Sequence, residues 1–311
     1  MRKFLVASAL TLLASLFIAM PVYADGEWEY TDVDAVVLGT QASVVAACPA
    51  HTITTLRKFL PLMNMVPAGF EGALYFPAVN LNWNPALRMT ELDLWSTPAH
   101  GPEFIITNED IELLRHMTSL TRLNLFGNSI TDISSLAGLT NLTYLNLSYN
   151  RVTDLTPLVG LTNLTFLGLT SNPIESITPL AGLTNLTFLG LNRTQVSDVT
   201  PLAGLVNLTT LGLNNNQITS ILPLAGLTSL EWLLLSSNQI ADISALAEFA
   251  NLNILVLDGN QITDLSPLAG LVNFYDFGLD LRNNQIADWS PLDHLYYVLG
   301  RPGQTFPRRQ A

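Results

Sequence analysis

Few side chains in this sequence could do chemistry, and their spacing argues against it. The four histidines, His51, His100, His116 and His294, are widely scattered, and His51 and His100 are followed by no metal-binding spacing. The single cysteine, Cys48, rules out an internal disulfide and belongs to no recognisable Cys–His nucleophile pattern. Glu109 and Asp110 are adjacent, which would not hold two carboxylates across a scissile bond. No G-x-S-x-G elbow and no phosphate loop occurs. The reading is a non-enzyme without cofactor or metal, and residues 25–104 are the one stretch where an active site could hide.

A recurring acidic row has more regular spacing. Asp132, Asp154, Asp198, Asp242, Asp264 and Asp288 occupy equivalent places, with Ser176 and Ser220 interrupting them. Calcium would need a clustered set of oxygen ligands, which a broken row does not supply. The alternative is a solvated acidic face, and the pattern favours it.

That row belongs to a repeat. Eight units run 117–138, 139–160, 161–182, 183–204, 205–226, 227–248, 249–270 and 271–294, the last longer than the rest by two residues near Tyr275-Asp276. A short fixed period means a solenoid. In 139–160, Leu145 and Leu147 alternate with Tyr144, Asn146 and Ser148, as in a strand with one buried face. Asn150 stands where the chain must turn from the strand, able to bond turn backbone that the sheet leaves unpaired. Its equivalents are Asn128, Asn172, Asn216, Asn238, Asn260 and Asn284, with Thr194 as the substitute. They are expected to form a structural ladder.

Thr156-Pro157, Thr178-Pro179, Thr200-Pro201, Ser266-Pro267 and Ser290-Pro291 place a capping hydroxyl before proline. Only a 3-10 turn fits before the next unit begins. The expected fold is an α/β solenoid: a leucine-rich-repeat horseshoe with a parallel concave β-sheet, short 3-10 convex segments and a partly helical N-terminal cap. Each unit covers its neighbour's leucines, which is why the motif must repeat. The N-L-T triplets at Asn141, Asn163, Asn185 and Asn207 match a glycosylation sequon but read as a by-product of the repeat.

Just before, between and just after the two strand leucines, three outward positions vary. Arg122, Tyr144, Phe166, Phe188 and Trp232 line one row, with Asn146, Gly168, Gly190 and Gly212 beside them as a shallow groove. Phe126, Asn192, Asn214 and Asp258 lie on the third row. An apolar row expected to face solvent, beside a polar rim, marks an interaction surface, and Tyr and Trp are typical anchors. The partner-binding set is therefore Arg122, Phe126, Tyr144, Asn146, Phe166, Phe188, Asn192, Asn214, Trp232 and Asp258. The bland alternative is that the aromatics merely cover the sheet.

The rest of the chain frames this scaffold. Residues 1–24 carry Arg2 and Lys3, an apolar run and Val22-Tyr23-Ala24, the parts of a secretory signal cleaved after Ala24; an uncleaved anchor is the alternative. Formal charge is −12, and removing Arg2 and Lys3 with the leader takes it to −14, a field that repels nucleic acid. No second apolar segment would span a membrane in the mature chain. Residues 25–86 read as a cap region, 87–116 as a degenerate first repeat containing "MTELDLW", and 295–311 as a short helical cap followed from Arg301 by a frayed basic tail.

Units such as "LTNLTYLNLSYNRVTDLTPLVG" and "LVNLTTLGLNNNQITSILPLAG" resemble those of the internalins and related secreted bacterial leucine-rich-repeat proteins, over roughly residues 105–294. The resemblance implies a scaffold that binds partner proteins, often host-cell receptors, through its concave face. Internalins usually continue into an immunoglobulin-like domain and a wall-attachment region, whereas only "LYYVLGRPGQTFPRRQA" follows the last unit here, and 25–104 has no clear match to the family's cap. The expectation is a secreted or extracellular recognition module, periplasmic in a Gram-negative host, that binds a protein. The alternative is an envelope protein recognising glycans by stacking sugar rings on Tyr144 and Trp232.

Overall fold

The structure, a computed structural model, describes residues 91–94, 105–295 and 297–302. The leader, the cap region 25–86, Cys48, His51, His100 and the tail from 303 lie outside the described residues.

Among the described residues, ten short strands form one parallel sheet in sequence order. They are β1 (Glu91–Asp93), β2 (Arg122–Asn124), β3 (Tyr144–Asn146), β4 (Phe166–Gly168), β5 (Phe188–Gly190), β6 (Thr210–Gly212), β7 (Trp232–Leu234), β8 (Ile254–Val256), β9 (Leu279–Asp280) and β10 (Val298–Leu299). Strands this short do not persist alone. The ladder continues past them, with Leu147 N–H donating to Gly168 O at 2.8 Å and Tyr149 N–H to Thr170 O at 2.7 Å. Register is uniform: Tyr144 faces Phe166, and Phe166 faces Phe188.

The leucines on the inward face, with their convex counterparts such as Val152, Leu155 and Leu158, form one continuous buried core from Leu92 to Val298. The convex side is a series of three-residue 3-10 turns; Thr156–Leu158 and Ser266–Leu268 have proline near the start, whereas Ser134–Leu136 and Ser244–Leu246 have none. Hydroxyls were expected to cap these turns. Instead the carboxylate two residues earlier does so: Asp154 Oδ1 accepts from Thr156 N–H and Asp242 Oδ1 from Ser244 N–H, both at 2.8 Å. An Asp reaches the N–H two residues ahead as an Asx turn. Serine is shorter, and at Ser176 and Ser220 the bond lengthens to 3.4 Å.

Between strand and asparagine the chain passes through the left-handed region at Tyr149, Ser171, Arg193, Asn215 and Ser237, with Gly127 and Gly259 at the same place. Asn150 then closes the turn. Its Nδ2 donates to Leu125 O and Leu147 O, while Oδ1 accepts from Ile130 N–H at 3.0 Å. The same set recurs at Asn172, Asn216, Asn238 and Asn260, at Asn284, and at Asn128, which accepts from Ile106 N–H at 2.8 Å.

The N-L-T triplets form a second ladder on the descending flank. Asn163 Nδ2 donates to Thr140 O at 2.9 Å, and the Thr165 hydroxyl donates to Thr143 O at 3.0 Å. The sequon-like residues at 141, 185 and 207 repeat the asparagine bond.

The C-terminal end differs from expectation. Val298–Leu299 is a strand and not part of a helix, since pairing with β9 satisfies backbone that would otherwise be an open edge; Leu281 N–H donates to Leu299 O at 2.9 Å. Arg301 is not frayed either: it donates to Leu292 O at 3.1 Å and pairs with Asp293.

Candidate recognition surface

Side chains at the first outward position of successive strands stand about 4.8 Å apart, close enough to touch. On β2–β5 they stack. The Arg122 guanidinium carbon lies 3.6 Å from the centre of the Tyr144 ring. Tyr144 and Phe166 are parallel within 11° at 4.2 Å, and Phe166 and Phe188 within 8° at 4.2 Å. The result is one ridge of four side chains, sandwiched so that the faces of Tyr144 and Phe166 are covered on both sides. What the ridge offers outward is ring edges, which carry the positive end of the aromatic quadrupole. Burial pushes the Tyr144 phenol above its ordinary pKa despite the nearby Arg122, so it stays a neutral hydrogen-bonding group.

Trp232 departs from expectation. It does not face solvent but is 7% exposed, as Leu234 and Val256 are 2% and 4%, and all three lie outside the continuous core. They are neighbours in register on β7 and β8, Trp232 facing Ile254 and Leu234 facing Val256.

The expected groove beside the ridge is also absent. At Gly168, an added Cβ would come within 2.6 Å of Asn146 Oδ1; at Gly212 it would come within 2.9 Å of Asn192 Nδ2. The glycines are the space into which the preceding strand's polar side chains lean. Asn192 and Asn214, expected to contact a partner, are 2% and 8% exposed. Asn192 Oδ1 accepts from Asn214 N–H at 2.8 Å, and Asn214 Oδ1 accepts from Ser236 N–H at 2.7 Å. They serve the backbone above the strands and are unavailable to a ligand. No signal in a single repeat could reveal this, because the glycine that admits Asn192 lies 20 residues further on.

Arg122, Phe126, Tyr144, Asn146, Phe166, Phe188 and Asp258 remain partly exposed. Phe126 packs on Tyr149 of the next unit at 5.0 Å, beside the Arg122 end of the ridge. The aspartate row lies elsewhere, on the exposed convex flank, and is used in capping. Among the described residues no three His, Cys, Asp or Glu side chains are grouped to hold a metal ion, and no helix is long and apolar enough to cross a membrane.

The family described as "Leucine Rich repeats (2 copies)" matches residues 118–160, 140–182, 184–226 and 228–270. Internalin C2 from Listeria monocytogenes is 38% identical over 64% of this chain and 81% of its own, with a TM-score of 0.56. The chain belongs to the internalin-like leucine-rich-repeat proteins. A second Listeria internalin (inlF) is 35% identical over 62% of this internalin-like chain and 63% of its own, with a TM-score of 0.55. The ectodomain of the Arabidopsis thaliana receptor kinase GASSHO1/SCHENGEN3, solved in complex with CASPARIAN STRIP INTEGRITY FACTOR 2, shares the fold at 24% identity and a TM-score of 0.59, over 79% of this chain and 35% of that one. No curated protein sequence matches this internalin-like chain at a significant level. Solenoids of this family commonly serve as protein-interaction modules.

Proposed function

We propose that this internalin-like protein is an exported, non-catalytic recognition module that binds a protein partner on its concave sheet, at the ridge Arg122–Tyr144–Phe166–Phe188. The ridge carries the reading. Its side chains are held in one arrangement by stacking, so little conformational freedom is lost when a partner settles on them. Arg and Tyr at the centre of a surface are frequent anchors of protein interfaces.

The same geometry speaks against sugar stacking, which needs a free aromatic face. Tyr144 and Phe166 have none, and Trp232 is buried.

The test is capture of surface proteins by the full chain beside a Tyr144→Ser, Phe166→Ser, Phe188→Ser variant, with circular dichroism confirming equal folding. A partner held by the parent, lost by the variant and not displaced by oligosaccharide is the expected result. Equal capture by both proteins removes the ridge from recognition, and displacement by oligosaccharide replaces the protein reading with a glycan one.

A further inference from the structure

The longer unit 271–294 carries an exposed aromatic turn. Residues 275–278 are spliced between β8 and β9: Tyr275 N–H donates to Asn253 O at 3.0 Å, Gly278 N–H to Tyr275 O at 2.7 Å, and Leu255 N–H to Gly278 O at 2.7 Å. The two extra residues thus form a hydrogen-bonded turn at the first outward position, next to Ile254. Gly278 is required there, since a Cβ would collide with Asn253 O. Phe277 holds φ of +64°, the left-handed region that bulky side chains avoid and glycine or asparagine enters freely. Tyr149 and five other non-glycine residues occupy the same region in their turns, and here the Gly278 N–H bond to Tyr275 O holds the chain in it.

Tyr275 is 51% exposed and Phe277 43%, with the Phe277 ring 5.0 Å from Tyr297 at a 41° tilt. A relaxed residue at 277 would close the same turn while presenting no ring. The charges beside it are negative: Asp276 is in the turn, and Glu231 lies two rungs away through Asn253. The nearby Arg282 is clasped by Asp280 in a two-pronged pair at 2.9 and 2.6 Å.

We infer that the Tyr275–Gly278 turn is a second anchor point, receiving an apolar side chain flanked by Lys or Arg on a protein partner. This rests on the reading of the concave sheet as a protein-binding face. The apolar rings supply the contact; Asp276, Glu231 and a chain charge of −12 select the basic flank. Four strand spacings, roughly 19 Å, separate the turn from Phe188, so one partner can span both anchors.

A random-peptide display library panned on the full chain tests this, with Phe277→Gly and Phe166→Ser variants as counter-screens. Glycine suits the left-handed position, so Phe277→Gly keeps the turn while removing the ring. Expected are peptides with an apolar residue beside Lys or Arg, weakened about tenfold or more by Phe277→Gly, weakened by added salt, and unaffected by Phe166→Ser. Peptides that bind the Phe277→Gly variant as well as the parent, or an absence of enriched peptides, overturn the anchor. Loss of a captured partner on Phe166→Ser alone leaves the ridge standing while the anchor falls; the reverse pattern removes the ridge.

Discussion

Thr194 donates its hydroxyl to Asn216 Oδ1 at 2.7 Å, but it cannot give back what an asparagine gives. Elsewhere in the stack the side-chain oxygen of each ladder residue accepts an N–H from the preceding unit. Opposite Thr194, the Ile174 N–H turns to Asn172 O in its own unit, at 2.9 Å. One rung of the ladder is therefore incomplete.

Restoring it should stabilise the protein. Thr194→Asn supplies an acceptor for Ile174 N–H and a second donor for the strand-end carbonyls, and each completed bond contributes about 1 kcal/mol. Urea unfolding should move to a higher midpoint at unchanged slope. No rise, or a fall, would mean the local backbone cannot accommodate the amide.

The two asparagine ladders should differ in worth. Asn172→Ala strands buried N–H and C=O groups and should cost about 2–3 kcal/mol. Asn163→Ala removes one exposed bond that water can replace, and should cost under about 1 kcal/mol. Paired denaturation curves decide; equal losses would refute the distinction between a buried and a surface ladder.

The aspartate caps make stability depend on acid. Hydrogen bonds hold Asp154 and Asp198 below the ordinary carboxylate range, chiefly from the Thr156 and Thr200 side chains. For Asp242, Asp264 and Asp288 the backbone N–H groups of Ser244, Ser266 and Ser290 lead. A folded-state pKa below the unfolded value means the contribution is complete above about pH 4 and is lost as pH falls through the folded values. The parent should therefore lose more stability below about pH 4 than an Asp242→Ala, Asp264→Ala variant does. Parallel acid losses in the two proteins would show that the caps are not the cause.

The ridge should behave as a unit. In a Tyr144→Ala, Phe166→Ala double-mutant cycle, the coupling energy should be about 0.5–1.5 kcal/mol, the range for stacked aromatic pairs. Additive losses would mean that the rings touch without stabilising one another.

Much of this was legible in the sequence. Leucine alternation and the 22-residue period fixed strands, register and core, because each unit must bury the same face against its neighbour. The Asn128-to-Asn284 ladder was legible because asparagine is the side chain able to accept and donate at one turn. The concave surface was less so. Whether Trp232 or Asn192 reaches solvent depends on residues one unit away, and alternation within a strand says only which side they take. Gly212 reads as open space within its own unit, and Asn192 fills it from the unit before. The Val298–Leu299 strand had no repeat pattern to announce it; it forms because β9 offers unpaired backbone.

Every complete rung of the main ladder points backward along the chain: Asn150 serves Ile130, Asn172 serves Val152, and Asn284 serves Ile262. A nascent chain grows in the opposite direction, from its N-terminus. Each newly emerged unit therefore waits, with one amide unanswered, until the following 22 residues arrive to latch it. Closure of the stack advances one unit behind synthesis, like a zip whose slider follows the growing end.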